Sequence, residues 1–174
     1  CGDPWSEPLE VDEWREAQAY FRSFQHPGTR LAFVTLKVGG KENAIALHSQ
    51  GFRKGVTFEG PRSSLMAAIR YRIFDDLLIG NFMRTTLHGR WPRSKLHPDF
   101  TPYVAKYGDN GRATTTEELR IYFAEYRRRV GPLQYLRHCL EAQAKDTLRA
   151  WLPAESSVMR RSQDVHWRLK RAFR

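Results

Sequence analysis

The sequence predicts an α+β fold in which a small antiparallel sheet packs on helices and is followed by a helical C-terminal extension. Three observations predict it. Apolar residues recur at helical spacing near the start, aromatic and β-branched runs broken by Gly-rich turns fill residues 30–58, and from Ser63 the period becomes helical again. Internal repeats and low-complexity tracts are absent from the sequence.

Residues 9–25 place Trp14, Ala17, Phe21 and Phe24 on one helical face, with Glu10, Asp12, Glu13 and Glu16 near the N-terminus, where acids are favoured. His26-Pro27-Gly28 ends this helix, because proline cannot extend the hydrogen-bond ladder. Residues 30–38 (RLAFVTLKV) and 44–48 (AIALH) read as two strands joined by the loop 39–43. Residues 52–58 read as a third strand closed by Gly60-Pro61, giving a three-strand antiparallel meander.

Leu65, Met66, Ile69, Ile73, Leu77 and Leu78 then share a helical face, with Ser63 or Ser64 as cap and two helical pieces expected near 63–74 and 75–88. Residues 92–113 hold Pro92, Pro98, Pro102 and the turn Gly108-Asp109-Asn110-Gly111, and predict an irregular loop. Thr114 to Glu118 has capping-box spacing and opens a helix carrying Leu119, Tyr122, Phe123 and Tyr126. Pro132 opens another helix with Leu133, Leu136, Leu140, Leu148 and Trp151, and residues 157–173 form a last basic one. The expected organisation is therefore an α+β domain over 1–91, the loop 92–113 and a basic helical extension over 114–174.

The 174 residues carry a net charge of +10, unevenly placed. Residues 1–28 hold six acids and two bases, whereas residues 119–174 hold thirteen Lys/Arg and five Asp/Glu. An acidic partner for the C-terminal half is expected: nucleic acid, an anionic membrane surface or another protein. No apolar run approaches the length of a membrane-spanning helix, and the mean hydropathy is -0.62. The two cysteines, Cys1 and Cys139, have no CxxC motif or Cys/His cluster beside either, so neither a disulfide framework nor a structural zinc is predicted, and Cys139 reads as a core thiol. The Cys-Gly-Asp start reads as a processed, truncated or engineered end; the expected localisation is cytoplasmic.

The sequence lacks the P-loop, the Rossmann glycine pattern, the GxSxG elbow and the HExxH zinc helix. Asp75 and Asp76 are adjacent on a helix and point about 100° apart, so they form no facing carboxylate pair; one is expected to cap or to pair with an arginine. His88, His97 and Asp99 are competent metal ligands, but their spacing matches no defined site, and no cofactor is expected. The turn 108–111 lacks the spaced ligands of a calcium loop. No constellation combines the residue types and spacing that catalysis requires, so a stand-alone enzyme ranks below a binding role.

The runs RIFDDLLIGNFMRTTLHG (72–89) and FTPYVAKYGDNGRATTTEELRIYFAEYRRR (100–129) resemble the region that follows the catalytic part in some bacterial metallo-β-lactamase-fold proteins. That family's HxHxDH signature is missing here, so the resemblance implies an accessory part without the metal chemistry. The strand-strand-strand-helix order is also similar to sterol-carrier-type domains, which implies an apolar tunnel bounded by the sheet and a helix.

The first functional expectation is a non-catalytic accessory or binding module, working with a larger enzyme or assembly subunit. A small apolar ligand would lie in a cleft lined by Phe33, Ile45, Leu65, Ile69, Phe74, Leu78 and Phe82. The alternative is a nucleic-acid-associated protein, such as a ribonucleoprotein component. It would dock through its basic C-terminal helices, with Arg127, Arg128, Arg160, Arg161, Arg168 and Lys170 neutralising phosphates.

Overall fold

The computed structural model describes residues 4–47, 54–80, 83–91, 95–97, 99–137 and 139–140. The α+β architecture is present: a four-stranded sheet packed against helices, with helices again at the C-terminal side. The chain divides into two compact units, Cys1–Ala124 and Glu125–Arg174.

Helix α1 (Val11–Ser23) starts where the Glu13 carboxylate accepts the Glu10 N–H at 3.0 Å. One turn of helix, α2 (Gln25–Gly28), follows where only a helix stop was expected. Strand β1 (Phe33–Val38) and β2 (Lys41–Ala46) form an antiparallel hairpin in register Val38↔Lys41. The turn is therefore only Gly39-Gly40, shorter than the predicted loop. Both glycines have positive φ, 60° and 75°, as the two-residue hairpin turn demands. A side chain at Gly39 would also collide with the backbone of Glu7 and Pro8.

The predicted meander is corrected in two respects. Strand β3 (Gly55–Glu59) pairs with β1 in parallel, Val34 opposite Val56 and Leu36 opposite Phe58. The sheet order is β2-β1-β3-β4, so the chain returns past β1 after β2 instead of continuing outward. Periodicity locates strands but does not say on which side of β1 the next one lands. The fourth strand, β4 (Arg84–His88), pairs antiparallel with β3 where a helix to residue 88 was expected. Gly80 ends the preceding helix, and the β-branched pair Thr85-Thr86 suits the pleated edge of β3 better than a helix.

Helix α3 (Arg62–Tyr71) follows Pro61, not a serine cap, and is separated from α4 (Phe74–Ile79) by Arg72 in the left-handed region at φ 55°. The predicted irregular loop contains a π-helix, Pro102–Asp109. Pro102 is tolerated there because the first turn needs no N–H from it. Helix α5 (Thr116–Val130) opens with the expected box: Glu118 accepts the Thr115 N–H at 3.0 Å, and Thr115 Oγ1 accepts the Glu118 N–H at 3.2 Å.

One sheet face carries Val34, Leu36, Val56 and Phe58, all buried. Phe21 of α1, Phe74 of α4 and Phe100 meet Phe58 there at 6.4, 5.2 and 5.2 Å between ring centroids. Each buried phenylalanine contributes about 1.5–3 kcal/mol, so this cluster is the main source of cohesion. The other face carries Lys37, Glu42, Glu59 and Arg84, joined in ion pairs at 3.2–3.9 Å, and at its other end Phe33 in register with Gly55 and His88.

Candidate functional site

Of the seven residues expected to line an apolar cleft, five follow the sheet–helix packing, whereas Phe33 is on the opposite face of the sheet from Ile45, alternating with Val34 on β1. Ile45, Leu65, Ile69 and Phe74 lie in the buried core, Leu78 packs partly buried against it, and Phe33 is half-buried beside the His88 ring at 5.5 Å. Phe82 lies outside the described residues. The result is a buried aromatic and aliphatic cluster. The interstice bounded by Phe58, Gly60, Pro61, Leu65, Leu77 and Met83 admits no water in this conformation.

Asp99 lies at the far end of that core and is only 6% exposed at its side chain. It accepts a hydrogen bond from Arg30 Nη1 at 2.6 Å and is ion-paired with Lys54 Nζ. Burial alone would raise its carboxyl, but the bonds from Lys54 and Arg30 hold it below the ordinary carboxylate range. Lys54 Nζ also lies 4.3 Å from the centre of the Trp91 ring, whose indole N–H donates to Gly55 and His88 carbonyls. Nearby, His26 stacks on Tyr103 at 3.7 Å with its Nε2 buried and unpartnered. Burial and then Arg30 lower its basicity. Asp99 is thus committed to two cations, His97 is exposed, and His88 Nε2 lies 2.7 Å from Thr57 Oγ1. Among the described residues no group of three or more His, Cys, Asp or Glu is arranged to hold a metal.

A groove of about 350 Å³ runs between α1 and α3, with Met66 and Ala67 among Glu7, Glu13, Arg62, Ser63, Arg70 and Tyr71. Its charges are largely spent on one another. Arg62 donates to Glu13 at 2.7 Å and to Glu10 at 2.5 Å, and Arg70 donates to Glu16 at 3.0 Å.

A second buried carboxylate, Asp109, was not singled out from the sequence, because the run 108–111 reads as a plain surface turn. It ends the π-helix at 6% exposure, and its Oδ2 accepts from the Tyr20 hydroxyl at 2.6 Å and from the Phe74 N–H at 3.2 Å. Burial pushes its carboxyl up, against the pull of those two donors. Of Asp75 and Asp76, one of which was expected to cap or pair with an arginine, Asp75 accepts from Asn110 Nδ2 at 3.2 Å.

In the second unit, Arg127 and Arg128 are exposed on α5. Arg128 is paired with Glu125 at 3.1 Å, and the Arg127 guanidinium lies 5.5 Å from the Tyr135 ring centre. Arg160, Arg161, Arg168 and Lys170 lie outside the described residues, as do Leu148 and Trp151. Residues 132–137 and 139–140 are helical. Tyr135 faces Tyr126 of α5 at 6.1 Å, while Leu133, Leu136 and Leu140 are 83%, 57% and 57% exposed. At 100° per residue these leucines fall within an arc of about 60° whose centre lies about 130° round the helix from Tyr135, with Arg137 about 40° beyond the arc. Cys139 is free and half-buried, not the fully buried thiol expected.

Comparison with protein-family models, with curated proteins and with solved structures finds no match for this chain. Among the described residues no helix is long and apolar enough to cross a membrane.

Proposed function

We propose that this chain is a non-catalytic accessory module that docks onto a larger enzyme or assembly through the helical residues 132–137 and 139–140. The observation that carries the reading is the outward leucine stripe Leu133, Leu136 and Leu140. Spacing of i, i+3 and i+7 is the pattern by which an amphipathic helix seats in an apolar groove. Tyr135 holds the helix to α5 and leaves the leucines to a partner. Burying what these leucines still expose, about two side chains' worth, contributes on the order of 3–6 kcal/mol before the costs of association. The basic C-terminal half of the chain favours an acidic surface on that partner. The resemblance of residues 72–89 and 100–129 to an accessory region makes a metallo-β-lactamase-fold enzyme one such partner.

Native mass spectrometry of the protein purified gently from its own cells tests this. The expected result is a defined partner chain bound to the native protein and absent from the Leu133→Asp/Leu136→Asp variant. Nucleic acid in place of a protein partner would transfer the function to the basic residues. A small apolar adduct retained by both forms would transfer it to the core between the sheet and α3.

A further inference from the structure

We propose that the outer face of the sheet, turned away from the phenylalanine core, is the interface of a weak two-fold dimer in which it packs on the same face of a second copy of this chain. Strand pairing sorts this face into three rows that run across β2, β1, β3 and β4 in that order. The first is Glu42, Lys37, Glu59 and Arg84; the second is Ala44, Thr35, Thr57 and Thr86; the third is Ala46, Phe33, Gly55 and His88. The face is open to solvent. Glu42, Ala44, Ala46, Arg84 and Thr86 on the two edge strands are exposed, and Phe33 and Lys37 on β1 are half-buried.

The signs in the charged row select the occupant. Read across the sheet they run minus, plus, minus, plus. A two-fold axis parallel to the strands reverses the strand order and keeps each row at its own level. Glu42 then faces Arg84 of the second copy, and Lys37 faces Glu59 of the second copy, so every facing pair is opposite in sign. A two-fold axis across the strands would instead lay the charged row over Phe33 and His88 of the second copy.

Size follows the same operator. The middle row meets itself with nothing larger than threonine on either side, so the sheets can approach to the roughly 10 Å of packed sheets. In the third row His88 faces Ala46 and Phe33 faces Gly55 of the second copy. Each Phe33 ring lies over Gly55 of its own sheet, where an added Cβ would stand 2.4 Å from it, so the two rings meet beside the axis as the apolar centre of that row. Within one copy, Lys37 lies 3.9 Å from Glu42 and 3.3 Å from Glu59, and Arg84 lies 3.2 Å from Glu59. These pairs hold the four side chains in the row, and each carboxylate or cation has the capacity for a second partner across the interface. Four strands about 4.8 Å apart and three rows about 6.8 Å apart give about 400 Å² per copy, which makes the dimer weak and reversible.

The experiment is sedimentation equilibrium of the full chain carrying Leu133→Asp and Leu136→Asp, which removes association through the leucine stripe, at concentrations up to about 1 mM. This parent should dimerise reversibly, and less so as the ionic strength rises from about 0.05 M to about 0.5 M. Glu42→Arg sets an arginine against Arg84 of the second copy, and Arg84→Glu sets a glutamate against Glu42, so each variant alone should dimerise at least about tenfold more weakly. Mixed in equal amounts, the two variants should form a heterodimer, because both facing pairs are then opposite in sign. Glu42 and Arg84 stand on opposite edges of one sheet, about 14 Å apart, so no contact within a copy reproduces that rescue. A parent that stays monomeric, single variants that dimerise as the parent does, or a mixture no tighter than its components would overturn the proposal. Where a variant does not fold, amide chemical shifts of the parent on dilution decide: they should change at residues 33–37 and 55–59, and changes confined to other elements would overturn it.

Discussion

Replacing Asp99 with asparagine removes one negative charge from a site that holds two positive ones. The side chain is nearly the same size, so packing of the neighbouring Phe100 should not change. What changes is that Lys54, 13% exposed, loses its counter-ion while it remains against the Trp91 ring. Breaking a buried pair by removing one partner costs about 3–5 kcal/mol. Arg30 is 46% exposed and can turn to water, which lowers the expected loss to about 2–4 kcal/mol. Urea unfolding followed by tryptophan fluorescence measures it, with an unchanged slope showing that only stability moved. Acid adds a second signature. The Asp99 carboxyl is held below its unfolded value, so its contribution is present above the ordinary aspartate range and lost as pH falls through the folded value. The variant should lose that acid-dependent part of the stability profile. Lys54→Met in the same chain should recover part of the loss, because the stranded ammonium is then gone. A change within about 0.5 kcal/mol for Asp99→Asn alone would refute the reasoning.

Two further substitutions test how the elements are fixed. A Cβ at Gly108 would stand 2.2 Å from the Phe24 ring, so Gly108→Ala should destabilise by about 1–3 kcal/mol, read as a lower urea midpoint. Thr115→Ala removes the hydroxyl that accepts the Glu118 N–H and should cost about 1 kcal/mol, with faster amide exchange at Glu118 and little change at Phe58.

The helices with strong local signals were legible in the sequence. The acidic first turn and apolar stripe of α1 and the Thr/Glu box of α5 are satisfied within a few residues, so local chemistry suffices to find them. The first three strands were legible as strands, but the parallel pairing of β1 with β3 was not. It depends on where the chain lands after β2, which alternation does not encode. The fourth strand was hidden because Leu77 and Leu78 extend a helical period, whereas the edge of β3 selects Thr85 and Thr86 as its partners. The two buried aspartates were illegible for the same reason. Asp99 and Asp109 lie among prolines and glycines, and only the long-range partners Arg30, Lys54 and Tyr20 make them interior groups. The leucines at 133, 136 and 140 were seen as a helical stripe, but their exposure is a property of the fold.

The most direct measurement of the central claim is photo-crosslinking in the native cells from a photoreactive amino acid placed at Leu136. A docking helix predicts one defined protein crosslink from that position and none from the same probe at Tyr135, which faces α5. Crosslinks to nucleic acid, or none at Leu136, would contradict a protein-docking role for this chain.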